Sequence, residues 1–158
     1  MRRRFRAAMT GPELIHATGL VVAGRGIVLR GEPGAGKSDL AFCLIERYGI
    51  AGRAEPAAAC LIGDDYLNVW REQDALIGAA PETISGKIEL RGIGIVTLPH
   101  VARARLELVI DLVARDAVER LPEPGRTEIA GIDLPCFRLH AFDASTAAKI
   151  RTLVDLID

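Results

Sequence analysis

Short apolar runs, each closed by glycine, proline or charged residues, dominate the hydrophobic pattern of the chain. Residues 14–22 and 27–29 form two such runs, and residues 23–26 (AGRG) between them predict a tight hairpin. Similar runs predict further strands over residues 88–90, 94–98, 106–113 and 132–139. Strands are therefore expected to outnumber helices.

Two segments carry the wider apolar spacing of a helix. The first has apolar side chains at Leu40, Ala41, Leu44, Ile45 and Tyr48. The second has them at Ala147, Ile150, Leu153, Val154 and Ile157, and Asp143 is its predicted N-cap. Residues 49–59 (GIAGRAEPAAA) predict a loose loop after the first helix. Together the segments predict an α/β fold, with a mixed β-sheet and few helices.

A glycine-rich loop lies between the strand predicted over residues 26–30 and the first helix. It reads GEPGAGKS and consists of Gly31, Glu32, Pro33, Gly34, Ala35, Gly36, Lys37 and Ser38. This order fits the G-x-x-x-x-G-K-[ST] phosphate loop, in which backbone N–H groups hold phosphates, the lysine reaches the terminal phosphates and the hydroxyl binds Mg²⁺. The loop predicts a nucleotide-binding protein.

Composition narrows the classes of partner and the number of domains. The 158 residues, 49% of them hydrophobic, predict one domain over 1–158, with 1–12 as a loose basic leader. A net charge of −1 and 4% aromatic residues argue against nucleic-acid binding, and no apolar stretch approaches the ~18 residues of a membrane span. Three widely spaced cysteines without C-x-x-C spacing predict neither disulfides nor zinc, which favours the cytoplasm.

Two adjacent carboxylates follow another apolar run. Residues 57–65 (AAACLIGDD) predict a strand that ends in Asp64 and Asp65, close to the phosphate loop. One carboxylate could lie near the metal while the other accepts a proton from an incoming hydroxyl, and a simple β-turn is the alternative interpretation. Asp111 also follows an apolar run, but there we favour a solvent-facing residue of an alternating strand.

Taken together, these features resemble the bacterial HPr kinase/phosphorylase family. His16, the loop GEPGAGKS, the Asp64-Asp65 pair and residues 88–96 (IELRGIGIV) occur in the order seen in that family. The resemblance is clear over about residues 16–113 and covers the catalytic domain alone. It implies a P-loop kinase domain with the fold of the HPr kinase C-terminal domain.

The resemblance also implies roles for individual residues. Lys37 and Ser38 match the residues that bind the phosphates of ATP and Mg²⁺, and Glu89 matches a metal-binding glutamate. The implied catalytic residues are His16, Lys37, Arg120 and a general base within the Asp64-Asp65 pair. We favour Asp64 as the base, and Asp65 remains the alternative.

The implied activity is transfer of phosphate from ATP to a serine of an HPr-type phosphocarrier protein in a sugar or nitrogen phosphotransferase system. By the same resemblance the protein is expected to be a homo-oligomer, with a hexamer as the family's form. The reverse, phosphorolytic reaction is less expected, because residues 134–145 (LPCFRLHAFDAS) stand where the family has an arginine-, proline- and glycine-rich segment. Arg138 and His140 are candidates to replace its contacts.

Two other functions fit a phosphate loop with a nearby carboxylate. A small-molecule P-loop kinase would use the same loop, but the chain has no arginine-rich helical insertion that could close over a small acceptor. A non-catalytic, ATP-binding sensor would need no general base, so substitution of Asp64 by alanine would leave its partner binding intact.

Overall fold

In a computed structural model of the protein, residues 11–49 and 59–157 are described. Eleven strands and two α-helices occur in this part of the chain. The strands are β1 (Glu13–His16), β2 (Thr18–Val22), β3 (Arg25–Arg30), β4 (Ala59–Gly63), β5 (Tyr66–Glu72), β6 (Ala75–Ala79), β7 (Lys87–Leu90), β8 (Gly94–Thr97), β9 (Ala104–Leu112), β10 (Gly125–Ile129) and β11 (Ile132–Leu139). The helices are α1 (Lys37–Gly49) and α2 (Thr146–Leu156).

Strand β9 lies at the centre of a nine-stranded mixed sheet. It pairs along one edge with β3, in parallel, and its other edge is shared between β6, antiparallel, and β11, parallel. On the far side of β3, the antiparallel strand β2 is followed by β4. Strands β4, β3, β9 and β11 therefore run in the same direction, and the segments that follow them leave from one edge of the sheet.

Side chains from both faces of the sheet are buried, in two separate cores. On β3, Ile27 and Leu29 pack on the face covered by α1 and α2, whereas Val28 packs into the core formed with β5 and β6. A strand buried on both faces needs a continuous apolar run, which explains the sequence of β3. Ile88 of the separate β7–β8 hairpin joins the helix-side core, and this contact anchors the hairpin beside α1.

Most of the predicted elements are confirmed. The turn at residues 23–26 joins β2 and β3, with positive φ at Ala23 (49°) and Gly24 (80°). The run at 14–22 is divided into β1, which pairs with β5, and β2, which pairs with β3. The mixed sheet with two helices agrees with the predicted fold class.

Three strands were not predicted, and one predicted helix start is wrong. Strands β5, β6 and β10 were missed. Helix α2 begins at Thr146 with Ser145 at its N-cap, rather than at Asp143, whose carboxylate instead pairs with Arg115 at 2.6 Å. The loop predicted over 49–59, except its two end residues, and residues 1–10 of the predicted leader lie outside the described residues. In the described part of the chain, neither helix has the length and hydropathy of a membrane-spanning helix.

Candidate active site

The glycine-rich loop connects β3 to the first residue of α1. Gly34 and Gly36 have φ values of 84° and 95°, a backbone conformation that side chains disfavour. Lys37 is only 4% exposed, and its Nζ donates hydrogen bonds to the carbonyl oxygens of Gly31 (2.8 Å) and Glu32 (3.1 Å). The ammonium group is therefore held inside the curve of the loop, at the N-terminus of α1, where both charge and helix dipole favour phosphate.

Asp64 follows β4 and faces the loop. Its Oδ1 accepts hydrogen bonds from the hydroxyls of Ser38 (2.6 Å) and Thr18 (3.1 Å), and the side chain is 7% exposed. Burial raises the pKa of Asp64, and the neighbouring charge of Asp65 adds to this effect. Hydrogen bonds from Ser38, Thr18 and the Glu89 backbone oppose the increase without cancelling it. Asp64 is thus coupled directly to the hydroxyl that would bind Mg²⁺.

The Asp65 carboxylate points in a different direction from that of Asp64, because the Asp65 backbone is held in an unusual conformation. Its φ is 62°, and two hydrogen bonds tie it to the β1–β2 junction: its N–H donates to Thr18 Oγ1 (3.2 Å), and its carbonyl accepts from the Ala17 N–H (2.9 Å). This turn sends the two adjacent carboxylates in different directions. Asp65 lines the cleft beside the loop, whereas Asp64 lies behind Ser38.

The cleft has a volume of about 250 Å³ and opens at the edge where the parallel strands end. Its lining residues are His16, Pro33, Gly34, Gly36, Lys37, Ser38, Asp39, Asp65, Glu89, Arg91 and Phe142. The His16 ring is held against that of Tyr66, with centroids 5.3 Å apart. Four separate segments thus bring together the predicted site residues His16, Lys37, Ser38, Asp65 and Glu89.

The donors near Ser38 suit a hard cation. The Ser38 hydroxyl and the carboxylates of Asp64 and Glu89 offer oxygen ligands of the type that Mg²⁺ prefers. Within residues 11–49 and 59–157, no cluster of three or more His, Cys, Asp or Glu side chains could hold a metal by itself. This donor set fits a cation that completes its coordination with nucleotide phosphates and water.

Two predicted catalytic residues do not line the cleft: Asp64, which instead accepts a hydrogen bond from Ser38, and Arg120. Arg120 is in the exposed segment between residue 117 and β10, and it is not among the cleft's lining residues in the described part of the chain. Three residues that were not predicted as site residues line the cleft, namely Asp39, Arg91 and Phe142, and a fourth, Thr18, donates a hydrogen bond to Asp64. No local sequence signal marks Thr18 or Phe142.

Asp111 is not the solvent-facing residue that its sequence suggested. Arg30 Nε and Nη2 donate to its two oxygens at 2.7 and 3.0 Å, and Cys136 Sγ donates to Oδ2 at 3.3 Å. Burial acts to raise the pKa of Asp111, but the hydrogen bonds from Arg30 and Cys136 and the charges of Arg30 and Arg138 together outweigh it and leave the pKa lowered. The pair lines a separate cavity of about 380 Å³.

The chain matches known proteins over most of its length. The family model described as "HPr Serine kinase C-terminal domain" matches residues 7–155. The HPr kinase/phosphorylase of Geobacillus thermodenitrificans is 33% identical over 136 residues, which cover 77% of this chain and 40% of the relative. The corresponding protein of Lactobacillus acidophilus is 30% identical over 143 residues, covering 83% of this chain and 41% of the relative.

A solved structure shares the fold. The HPr(Ser) kinase/phosphatase from Coxiella burnetii superimposes with a TM-score of 0.76 at 28% sequence identity, over 91% of this chain and 95% of that one. The chain spans about two fifths of the length of the curated relatives it matches. The similarity therefore concerns one domain of those relatives.

Proposed function

Because the chain belongs to the HPr serine kinase C-terminal domain family, we propose that it transfers the terminal phosphoryl group of ATP to a serine of an HPr-type phosphocarrier protein. The observation that carries the proposal is the cleft. The phosphate loop, with Lys37 and Ser38, and the carboxylate-bearing residue Asp65 line the same cleft. A phosphate site and a base facing one space are what phosphoryl transfer to a hydroxyl requires.

One side of the cleft would hold the nucleotide phosphates and the metal. The loop N–H groups and Lys37 would bind the phosphates. Mg²⁺ bound by Ser38 and Glu89, with Asp64 behind Ser38, would offset charge on the transferred group. The hydrogen bond from Ser38 to Asp64 supports this role for Asp64, since it fixes the direction of the hydroxyl lone pairs.

The other side would bind the acceptor serine. Asp65 would accept the hydroxyl proton as the serine oxygen forms its bond to the terminal phosphorus and the bond to the bridging oxygen of the nucleotide breaks, which releases ADP. The sequence favoured Asp64 as this base. The geometry favours Asp65, because it lines the cleft while Asp64 is buried against two hydroxyls.

Two further residues of the cleft are assigned roles, one toward the acceptor and one toward the transferred group. His16 lines the cleft together with Asp65, so its imidazole would orient the serine or the departing proton. Arg91 lines the cleft two residues after Glu89 and would bind oxygens of the transferred group. Arg120 would contribute only after the segment that carries it moves or another copy of the chain supplies it.

The other expectations from the family are kept as part of this proposal. We infer kinase rather than phosphorylase activity, because residues 134–145 lack the arginine-, proline- and glycine-rich pattern of the family. A homo-oligomer, hexameric as in the family, and a cytoplasmic location remain predictions. The near-neutral charge supports a protein acceptor rather than nucleic acid or an anionic membrane.

Intact-mass analysis of an HPr-type protein incubated with the kinase, ATP and Mg²⁺ tests the proposal. We expect a gain of one phosphoryl group, absent when the acceptor serine is replaced by alanine. Lys37→Ala should abolish transfer, and Asp65→Asn should lower kcat by roughly 10²- to 10⁴-fold, the usual contribution of a general base. Leu121→Ala, at an 87% exposed position, is the matched control. ATP binding without transfer by the unaltered protein would contradict the kinase proposal and favour a sensor.

A further inference from the structure

The cleft contains one large apolar side chain that phosphoryl transfer does not use. Phe142 lines the cleft and is 57% exposed. It lies in the segment 140–145, between β11 and α2. An exposed aromatic ring costs free energy unless a ligand or partner covers it.

The ring lies directly against the phosphate loop. A Cβ atom added to Gly36 would approach Phe142 Cζ to 2.9 Å and Ala141 Cβ to 2.7 Å. The absence of a side chain at Gly36 therefore does more than permit its positive φ, because it also makes room for Phe142. The ring borders the same loop turn whose N–H groups would hold phosphates.

Neighbouring contacts hold this segment in place. The His140 ring meets Phe142 edge to face, with centroids 5.8 Å apart, and His140 Nδ1 lies 2.9 Å from the Val113 carbonyl oxygen. Arg115 pairs with Asp143 at 2.6 Å, which links the segment after β9 to the segment after β11. Phe142 is thus a supported platform rather than a free side chain.

The order of the strands puts this platform on the side of the loop away from the acceptor residues. The parallel strands lie in the order β11, β9, β3, with β4 beyond the intervening β2. Asp64 and Asp65 follow β4 on one side of the loop, and Phe142 follows β11 on the other. If the terminal phosphate points toward Asp65, the nucleoside must leave the loop on the side of Phe142.

We propose that Phe142 is the platform on which the base of the nucleoside triphosphate stacks. This inference rests on the proposed use of a nucleotide at this site. Stacking uses the flat face that every base has, so the platform would recognise the presence of a base more than its identity. Phe142 would add affinity for the nucleoside while Lys37 and the loop hold the phosphates.

Comparison of MgATP with Mg-tripolyphosphate, which carries the phosphates without a base, tests this inference. Equilibrium binding to the full chain should show tighter binding of MgATP. Phe142→Leu should weaken MgATP binding by about tenfold or more, the typical loss when a stacking partner is removed, and leave tripolyphosphate binding unchanged. Phe142→Tyr should retain the affinity. Leu156→Ala, at a 71% exposed position at the far end of α2, is the control.

Each other result would overturn the inference. Equal weakening of both ligands by Phe142→Leu would mean that the ring only supports the loop. Unchanged MgATP binding, or no preference of the unaltered protein for MgATP over tripolyphosphate, would mean that no base stacks there. Failure of the kinase proposal would give a different result, namely no phosphoryl transfer in the mass assay. The ratio of the affinities for MgATP and Mg-tripolyphosphate would still test whether a base stacks on Phe142.

A spectroscopic readout separates stacking from a general loss of packing. The chain has one tryptophan, Trp70, which lies on β5. In a Trp70→Phe background, Phe142→Trp would place the only indole at the platform. Its fluorescence should be quenched by MgATP and not by Mg-tripolyphosphate. Equal responses to the two ligands would contradict base stacking.

Discussion

Asp64 and Asp111 occupy similar places in the fold and have opposite electrostatic surroundings. Each lies at the carboxyl end of a buried strand, β4 or β9, that runs parallel to β3. Asp111 is bound by the guanidinium of Arg30 through two hydrogen bonds, which lower its pKa. Asp64 is buried among hydroxyls, and its pKa is raised.

This difference indicates which of the two carboxylates is available for chemistry. The negative charge of Asp111 is already balanced within the protein, so the residue contributes to stability. The negative charge of Asp64 is poorly solvated, and its hydroxyl partners balance it less than Arg30 balances the charge of Asp111. A bound cation would balance the charge of Asp64. The same local sequence pattern, an apolar run followed by aspartate, thus leads to a structural ion pair in one place and a candidate metal-site residue in the other.

The largest contrast is expected in catalysis. Asp64→Asn should lower kcat/KM at limiting Mg²⁺ by roughly 10- to 100-fold, because the Ser38 hydroxyl loses the carboxylate that would orient it toward a bound cation. Asp111→Asn should leave kcat/KM within about threefold, which is under 1 kcal/mol of transition-state stabilisation. Initial rates of acceptor phosphorylation across a Mg²⁺ titration measure both. Equal losses in the two variants would remove the functional distinction between the strand ends.

The ion pair itself should appear in a double-mutant cycle. Arg30→Met or Asp111→Leu alone should each destabilise the protein by about 2 kcal/mol, since each leaves a half-buried charge without its partner. The double variant should cost less than the sum of the two, with a coupling energy of about 1 kcal/mol or more. Urea unfolding gives the four free energies. Additive effects would show that the pair contributes no net interaction.

The dependence of stability on pH should differ in sign between the two aspartates. Because the folded pKa of Asp64 is raised, its ionisation costs stability above that pKa, and Asp64→Asn should stabilise the protein at pH 7. This gain should shrink as the pH falls through the folded pKa toward the ordinary value of 3.8. Because the folded pKa of Asp111 is lowered, its contribution is fully present above 3.8 and is lost only below it.

Thermal unfolding at pH 7 and pH 4 distinguishes these cases. Acidification to pH 4 should reduce the effect of Asp64→Asn and leave most of the destabilisation by Asp111→Asn. The exposed pair Arg103–Glu72 offers a control, because solvent screens it and Glu72→Gln should leave the unfolding midpoint almost unchanged at either pH. Parallel behaviour of the two aspartate variants would contradict the opposite pKa directions.

How much of this could be predicted depends on the range of the interactions. The phosphate loop and α1 were predictable because their signals lie within about twenty residues. The aspartate pair was found for the same reason. Strands β5 and β6 were missed because YLNVWRE and ALIGA lack a clean alternation and become strands through pairing with each other and with β1 and β9.

The other features that could not be predicted depend on contacts between residues far apart in the sequence. Arg30 and Asp111 are 81 residues apart, so their pairing has no local signature. The different directions of Asp64 and Asp65 depend on a positive φ that contacts with residues 17 and 18 hold in place. Phe142 reaches the cleft only because β11 pairs with β9. The roles of the individual site residues stay predictions until variants are measured.

The smallest effect concerns Cys136, the third member of the Asp111 cluster. Burial and the adjacent Asp111 charge raise the pKa of the Cys136 thiol to about 11, whereas Cys43 is exposed on α1. At pH 8, iodoacetamide should therefore label Cys43 well before Cys136, because the thiolate is the reactive form. Asp111→Asn removes the charge that opposes thiolate formation, and it should accelerate labelling of Cys136 severalfold while that of Cys43 stays constant. Peptide mass analysis of timed reactions measures both rates, and an unchanged Cys136 rate would show that burial alone protects the thiol.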